Sequence, residues 1–201
     1  MTVRLYDSET SGNCYKVRLL LSLLGRDYEK SPVDVIDRSN RKELLGGKSP
    51  ILRVPILELD DGTYLAESNA ILWYLARGTE YFPKDPIEQT RVLQWMFFEQ
   101  NLHEPNIAVV RYWVSVAKTA DRHPEAMKLR MAGGYNALKS METHLGSNRW
   151  FVGERYSIAD IALYAYTHTA HEGGFDLERF PVVRRWLADF ADRPGHIPIE
   201  A

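Results

Sequence analysis

The chain has 201 residues, enough for two small domains that each bury a core. Because 25 Lys and Arg face 27 Asp and Glu, the net charge of −2 argues against a nucleic-acid partner, and the one cysteine excludes an internal disulfide framework and fits a reducing compartment. The apolar run Leu19–Leu24 is too short to span a bilayer and no secretory leader pattern opens the chain, so we expect a cytoplasmic protein that does not bind membranes.

The first part of the chain alternates strand and helix patterns. Apolar residues at helical spacing predict helices, and an Asp-Gly turn between two short apolar runs predicts a hairpin. In chain order we expect strand Val3–Tyr6, helix Asn13–Leu24, strand Tyr28–Val35, a short helix over Ser39–Leu45, strands 55–59 and 63–65, and helix Glu67–Arg77. A helix joins the first two strands, which should therefore be parallel, while the hairpin strands are antiparallel. The prediction is a mixed four-stranded sheet.

The second part of the chain shows helical patterns and no further strand pattern. Residues 79–86 are rich in Pro and charge, which is typical of a linker. The helical stretches are Ile87 to about Lys118 with a bend near Pro105, Glu125–Leu145, Ser157–His171 and Phe180–Phe190. The predicted fold class is therefore α/β plus all-α, with a first domain over 1–78, a linker over 79–86 and a helical bundle over 87–201.

Four motifs stand in a fixed order along these elements. They are Ser-Gly-Asn-Cys-Tyr-Lys-Val-Arg at 11–18, Val54-Pro55, Glu-Ser-Asn-Ala-Ile at 67–71, and Ser-Ile-Ala-Asp at 157–160. Together they resemble the soluble glutathione transferases, in particular bacterial theta- and zeta-like members, over the whole chain. The resemblance implies a thioredoxin-like first domain, a helical second domain, a cytoplasmic homodimer, glutathione as co-substrate without a metal, and a role in detoxification.

Three residues at the start of the first helix are candidates for activating the glutathione thiol. Ser11 matches the activating serine of the zeta-like pattern, and Asn13 has an amide that can donate to the sulfur. The alternative for both is helix capping, because Ser and Asn are favoured N-cap residues. Cys14 is the rival: we expect a lowered pKa in the first helical turn and disulfide exchange with glutathione, or else a small buried residue.

Five residues are candidates for holding the rest of the tripeptide. The resemblance implies that Val54, before a cis Pro55, pairs with the cysteinyl backbone, that Ser68 binds the γ-glutamyl carboxylate, and that Glu67 binds its ammonium group. Arg53 is a candidate for the glycyl carboxylate, with Lys42 as a weaker one. The alternatives are an edge-strand proline, a helix cap and solvated cations.

One feature departs from the family pattern. Relatives often read Asn-Pro-x-Gly before the Val-Pro step, whereas this chain has Ser49-Pro50-Ile51-Leu52. Loss of that glycine is expected to reshape the loop at the glycyl end of glutathione.

The second substrate is expected to contact the helical domain. Candidates for that site are Phe98, Asn106, Arg111 and Trp113, although aromatic residues at helical spacing are more often core. His168 and His171 with Glu172 have metal-like spacing, but other ligands do not converge on them, so no metal is expected.

The motifs favour a glutathione transferase that conjugates the thiolate to a small electrophile. Within the same fold, the alternatives are a glutathione-dependent isomerase, for which Arg111 is the obvious cation, and a disulfide reductase acting through Cys14. A different class is a transferase-like protein-interaction module without turnover.

Overall fold

The computed structural model describes residues 3–201 and divides them into two compact units. The first unit extends to Arg77 and also contains Pro194–Ala201, and the second is Gly78–Arg193. The predicted boundary near residue 78 is close to this division, but the predicted second domain ran to 201, whereas the last eight residues pack with the first unit. Met1 and Thr2 of the predicted first domain lie outside the described residues.

The first unit is built on a mixed four-stranded sheet. Its strands are β1 (Val3–Asp7), β2 (Tyr28–Pro32), β3 (Ile56–Glu58) and β4 (Tyr64–Ala66), in the order β2-β1-β3-β4. β1 pairs with β2 in parallel, and the other two pairs are antiparallel. The predicted fold class and strand directions are confirmed.

Three helices accompany this sheet: α1 (Gly12–Leu23), α2 (Arg41–Leu45) and α3 (Ser68–Ala76). The side chains of α1 from Cys14 to Leu21 are buried. A core cluster of Tyr6, Val33, Leu45 and Ile56 lies in the same unit, with Leu52 and Val54 packed against it. Burial in α1 therefore extends beyond the apolar residues at helical spacing and includes Lys16 and Arg18.

The second unit is helical throughout its regular elements. These are α4 (Pro86–Phe98), α5 (Glu104–Arg111), α6 (Pro124–Leu145), α7 (Ile158–Thr167) and α8 (Pro181–Ala191). Two π-helical segments, Glu99–His103 and Tyr112–Val116, follow α4 and α5, so the predicted long helix over 87–118 is interrupted twice. The first interruption ends at His103, two positions before Pro105, which has no N–H for a helical hydrogen bond.

The central helix of the second unit is α7, whose residues are all buried. Its predicted capping box is confirmed: the Ser157 backbone N–H donates to Asp160 Oδ2 over 2.8 Å, and Ser157 Oγ accepts from the first turn of the helix. The helix ends at Thr167, earlier than the predicted His171, and a short 3₁₀ turn over Ala170–Gly173 follows.

Candidate functional site

Strand register brings the predicted glutathione-binding residues together at one end of β1, β3 and β4. Tyr6 of β1 pairs with Ile56 of β3, which in turn pairs with Ala66 of β4. Extending each antiparallel ladder by one residue places Asp7, Pro55 and Glu67 side by side. The loop to Ser11, the Val-Pro step and the start of α3 therefore meet at these strand ends.

Ser11 is the N-cap of α1. Its backbone is extended, with φ −83° and ψ 117°, and its Oγ accepts a hydrogen bond from Cys14 N over 3.3 Å. The capping alternative therefore describes this residue correctly. A serine hydroxyl has two acceptor lone pairs and one hydrogen, so accepting this bond leaves the O–H to donate. The side chain is half-buried, at the positive end of the helix dipole.

Cys14 is fully buried, with an exposed fraction of 0%. Burial, the largest cause, together with the nearby Asp7 carboxylate raises the pKa of its thiol to about 12, against the smaller lowering effect of the Ser11 hydroxyl. The predicted fall in the Cys14 pKa is wrong, because desolvation of the thiolate outweighs the helix N-terminus. The alternative expectation, a small buried residue, fits this cysteine.

Asn13 and Ser68 join the starts of α1 and α3. Ser68 Oγ donates to Asn13 Oδ1 over 3.0 Å, which turns the amide oxygen of Asn13 towards α3. The fully buried Lys16 approaches the same hydroxyl, with Nζ 3.4 Å from Ser68 Oγ. Ser68 is itself 5% exposed. No pattern in the sequence predicts that these motif residues contact each other, or that Lys16 is buried beside them.

The remaining glutathione candidates differ in exposure, and Pro55 is buried. Arg53 and Glu67 are exposed, and Val54 is half-buried. Glu67 has a positive φ of 68°, which ends β4 and turns the chain into α3. The Val54–Pro55 peptide bond is cis, as the resemblance implies. Lys42 is exposed on the short helix α2.

Leu52 occupies the position where relatives often have glycine. Its φ is +50°, so the chain keeps a left-handed conformation there without the residue that favours it. Its side chain packs against the core cluster and its carbonyl accepts from Arg41 Nη1 over 3.3 Å. Packing therefore accompanies this backbone conformation at Leu52, and the expected reshaping of the loop stays a prediction.

The four electrophile-site candidates make contacts in different directions within the second unit. Phe98 packs edge-on against Trp95 at 5.1 Å between ring centroids. Asn106 lies against Gly133 of α6, where a Cβ atom would approach its Oδ1 to 2.6 Å. Trp113 stacks on His123 at 4.3 Å. Phe98 and Trp113 are separated by fifteen positions, which is roughly 20 Å along a helix, so the four do not line one small pocket.

Arg111 is the fourth of these candidates. It is 6% exposed, and its Nε donates to Glu172 Oε2 over 2.9 Å. Ser115 Oγ donates to the Glu172 carbonyl over 2.6 Å, which fixes the same turn. The guanidinium is therefore balanced by a carboxylate and serves packing of the second unit.

The described residues, 3–201, offer neither a cluster of metal ligands nor a helix that spans a membrane. Within that range no group of three or more His, Cys, Asp or Glu is placed to hold a metal ion. None of the helices described there is long and apolar enough to cross a bilayer.

Two models of one protein family match the two parts of this chain. The model for the glutathione S-transferase N-terminal domain matches residues 5–80, and the model for the C-terminal domain matches 124–189. The chain belongs to the glutathione S-transferase family. Within this family, a maleylacetoacetate isomerase from Rhizobium meliloti is 30% identical over 185 residues, covering 89% of this chain and 86% of that protein, which fits the theta- and zeta-like character.

Solved glutathione transferases have the same fold as this chain. A glutathione S-transferase from Pseudomonas fluorescens is 45% identical with a TM-score of 0.97, and the match covers 100% of both chains. Ure2p5 from Phanerochaete chrysosporium, cocrystallised with 1-(S-glutathionyl)-2,4-dinitrobenzene, is 26% identical with a TM-score of 0.83, covering 96% of this chain and 90% of that one.

Proposed function

We propose that this family member is a glutathione transferase in which the Ser11 hydroxyl stabilises the glutathione thiolate for attack on a small electrophile. The observation that carries this is the position of Ser11: its oxygen caps α1 by accepting from Cys14 N, and a hydroxyl that accepts one bond still has a hydrogen to donate. Membership of the glutathione S-transferase family supports a glutathione-related activity, and a relative bound to a glutathione conjugate supports glutathione as co-substrate.

The energetics of thiolate formation are compatible with this role. Lowering a thiol pKa by about two units requires ~2.7 kcal/mol of preferential stabilisation of the anion. One hydrogen bond to a charged group contributes ~1.5–3 kcal/mol, and a helix N-terminus adds ~0.3–1 kcal/mol. A hydroxyl donor at the start of α1 therefore suffices.

Glutathione would lie across the ends of β1, β3 and β4, where the loop to Ser11 and the start of α3 meet. Its cysteinyl backbone pairs with the main chain of Val54, and its γ-glutamyl end meets Glu67 and Ser68. Arg53, which is exposed, faces the glycyl carboxylate. In the reaction, the thiol proton goes to solvent, the thiolate forms a C–S bond with an aryl halide, and the halide leaves.

Two alternatives within the fold are less well supported. Disulfide exchange through Cys14 requires a reachable thiolate, but this thiol is 0% exposed and its pKa is raised to about 12. Isomerisation of an acidic substrate was expected to use Arg111, whose guanidinium is paired with Glu172. Conjugation needs neither group.

Thiolate titration of bound glutathione tests the role of Ser11. In Ser11→Ala the pKa of the bound thiol should rise by about 1–2 units, which lowers the ratio of thiolate to thiol at a given pH about 10- to 100-fold, and conjugation of an aryl halide should fall as the thiolate fraction falls. Asn13→Ala should have a smaller effect, because its amide oxygen is turned towards Ser68.

Cys14→Ala is the matched control, since Cys14 is buried in the first turn of the same helix. Its titration curve and rate should stay within about twofold of the wild type, a change below 0.5 kcal/mol. A shift confined to Cys14→Ala contradicts the assignment of Ser11. Binding of glutathione without turnover of any electrophile favours the interaction-module alternative instead.

A further inference from the structure

The C-terminal segment 194–201 lies against one face of α1. Ser22 Oγ donates to the Gly195 carbonyl over 2.8 Å, and Tyr15 Oη donates to the Ile197 carbonyl over 2.6 Å. The Ile199 side chain is 5% exposed, and its carbonyl accepts from Arg18. Residues 15, 18 and 22 share a helix face, so three side chains of that face bond the segment.

Gly195 permits this close approach. Its φ is +84°, and an added Cβ would lie 3.3 Å from the Cα of Leu23 and 3.4 Å from the Ser22 carbonyl. A larger residue would push the segment away from the helix. The backbone conformation and the contact distance therefore both favour glycine at this position.

Arg18 connects this segment to the loop before Ser11. Its side chain is 0% exposed and pairs with Asp7, which is 2% exposed. The same guanidinium donates to the carbonyls of Ser8, over 3.3 Å, and Glu9, over 3.1 Å. Its planar set of donors therefore reaches the end of β1, two loop carbonyls and Ile199 at once.

The Ser8–Ser11 loop, which Arg18 holds in place, determines the position of Ser11. The Ser8 carbonyl that receives Arg18 also accepts from Ser11 N over 3.0 Å, and Asp7 O accepts from Val33 N over 2.7 Å. Movement of the Ser8–Ser11 loop would displace the hydroxyl at the start of α1. Arg18 does not reach the hydroxyl directly, so its effect on a ligand passes through the loop.

We infer that Arg18 and the C-terminal segment 194–201 are positioning elements for the thiol site, because they hold the Ser8–Ser11 loop with the serine hydroxyl aimed at the glutathione sulfur. This inference rests on the proposed function. It assigns a role in thiolate stabilisation to eight residues that are more than 180 positions from Ser11 along the chain.

The test compares the full chain with a deletion of 194–201, with Arg18→Lys and with Tyr15→Phe. Arg18→Lys keeps the charge but replaces the planar fork by a single ammonium group. The readout is the pKa of the thiol in bound glutathione, measured in protein whose circular dichroism and glutathione binding show that it is folded. A purely structural role would lower the melting temperature and leave this pKa unchanged.

The deletion and Arg18→Lys should each raise the bound-thiol pKa by about one unit, which is a tenfold smaller ratio of thiolate to thiol at a given pH. Tyr15→Phe, which removes the contacts of the hydroxyl with the Ile197 carbonyl and with His196 Nε2, should raise it in the same direction by less. Glu200→Ala is the control, since Glu200 is exposed at the end of the same segment, and its curve should overlay the wild type.

The wild-type curve separates the two hypotheses. A bound thiol that titrates like free glutathione in the wild type contradicts the proposed function itself. A lowered pKa in the wild type that every folded variant retains overturns the inference and leaves the proposed function standing. If the deletion does not fold, Arg18→Lys and Tyr15→Phe decide the matter by the same criterion.

Discussion

Ser11 and Cys14 show how differently two residues at one helix start can behave. They are three positions apart and joined by a hydrogen bond, yet one is half-buried and the other is fully buried. The N-cap has an extended backbone outside the helix, whereas Cys14 faces the packed interior. A helix N-terminus lowers a thiol pKa only where the thiolate keeps some solvation, so burial decides which residue can do chemistry.

Leu52 offers a test of backbone strain near the proposed glycyl end of the site. Its φ of +50° is unfavourable for a residue with a Cβ and is held by packing on the core cluster. Leu52→Ala removes the packing and keeps the strain, whereas Leu52→Gly removes both. We expect Leu52→Gly to be more stable than Leu52→Ala by ~1 kcal/mol in urea denaturation.

Leu65 in β4 is the matched position for this comparison, because it is also half-buried but lies in an extended strand. There the order should reverse, with Leu65→Ala more stable than Leu65→Gly, since glycine costs backbone entropy. If the alanine variant is more stable than the glycine variant at both positions, the loop conformation at Leu52 carries no strain.

At the scale of elements, the capping box of α7 connects local sequence to tertiary packing. The Ser-x-x-Asp pattern predicts the bond from Ser157 N to Asp160, but the other carboxylate oxygen accepts from Phe151 N over 3.2 Å and Trp186 Nε1 over 3.0 Å. The same carboxyl thus ties the preceding loop and α8 to the start of the buried helix.

The free energy of unfolding should depend on pH through Asp160. Burial raises the pKa of this carboxyl to about 6 from an ordinary 3.8, so the folded protein retains a proton that the unfolded chain has released. The stabilisation from this proton is complete at acid pH and is lost as pH rises from about 4 to about 6. Compared with Asp160→Asn in urea denaturation, the wild-type advantage should shrink across this range.

Asp61 provides a control of opposite sign. A hydrogen bond from the Thr63 backbone lowers the pKa of its exposed carboxyl, so its contribution is present at neutral pH and is lost as pH falls through the folded pKa. The stability gap between wild type and Asp61→Asn should therefore open as pH rises in the acid range. A gap for Asp160→Asn that also opens with rising pH would contradict the assigned burial effect.

The helical stretch 86–116 contains irregularities that its apolar periodicity does not predict. Apolar periodicity indicates helix throughout, and Pro105 indicates an irregularity, but the two π-helical segments at Glu99–His103 and Tyr112–Val116 leave no comparable signal. Each shifts the helix face by one residue relative to an α-helix. This shift is one reason why Phe98, Asn106, Arg111 and Trp113 do not share one face.

At the scale of the whole molecule, we expect a homodimer, as the family resemblance implies. Trp73 and Tyr74 on α3 are 38% and 42% exposed. Large aromatic side chains with this exposure are typical of a surface that another protein chain covers. Sedimentation equilibrium should give twice the chain mass of 23.2 kDa. Trp73→Glu should shift the population towards monomer by placing a charge on a surface that the dimer buries.

Leu129→Glu is the control for this change. Leu129 on α6 is 74% exposed, and a charge there should leave the sedimentation profile of the wild type unchanged. A monomeric mass for the wild type at all concentrations would contradict the dimer. Equal dissociation by both variants would point away from α3 as the contact surface.

The sequence by itself determined the order of strands and helices, the mixed sheet, the capping box and the family, because these depend on periodicity, turn residues and motifs within a few positions. Tertiary structure alone decided that Cys14 is buried, that Ser68 contacts Asn13, that Arg111 is paired with Glu172, and that residues 194–201 return to α1. Burial and pairing depend on what packs against a side chain, and those partners come from distant parts of the chain. No local pattern carries that information.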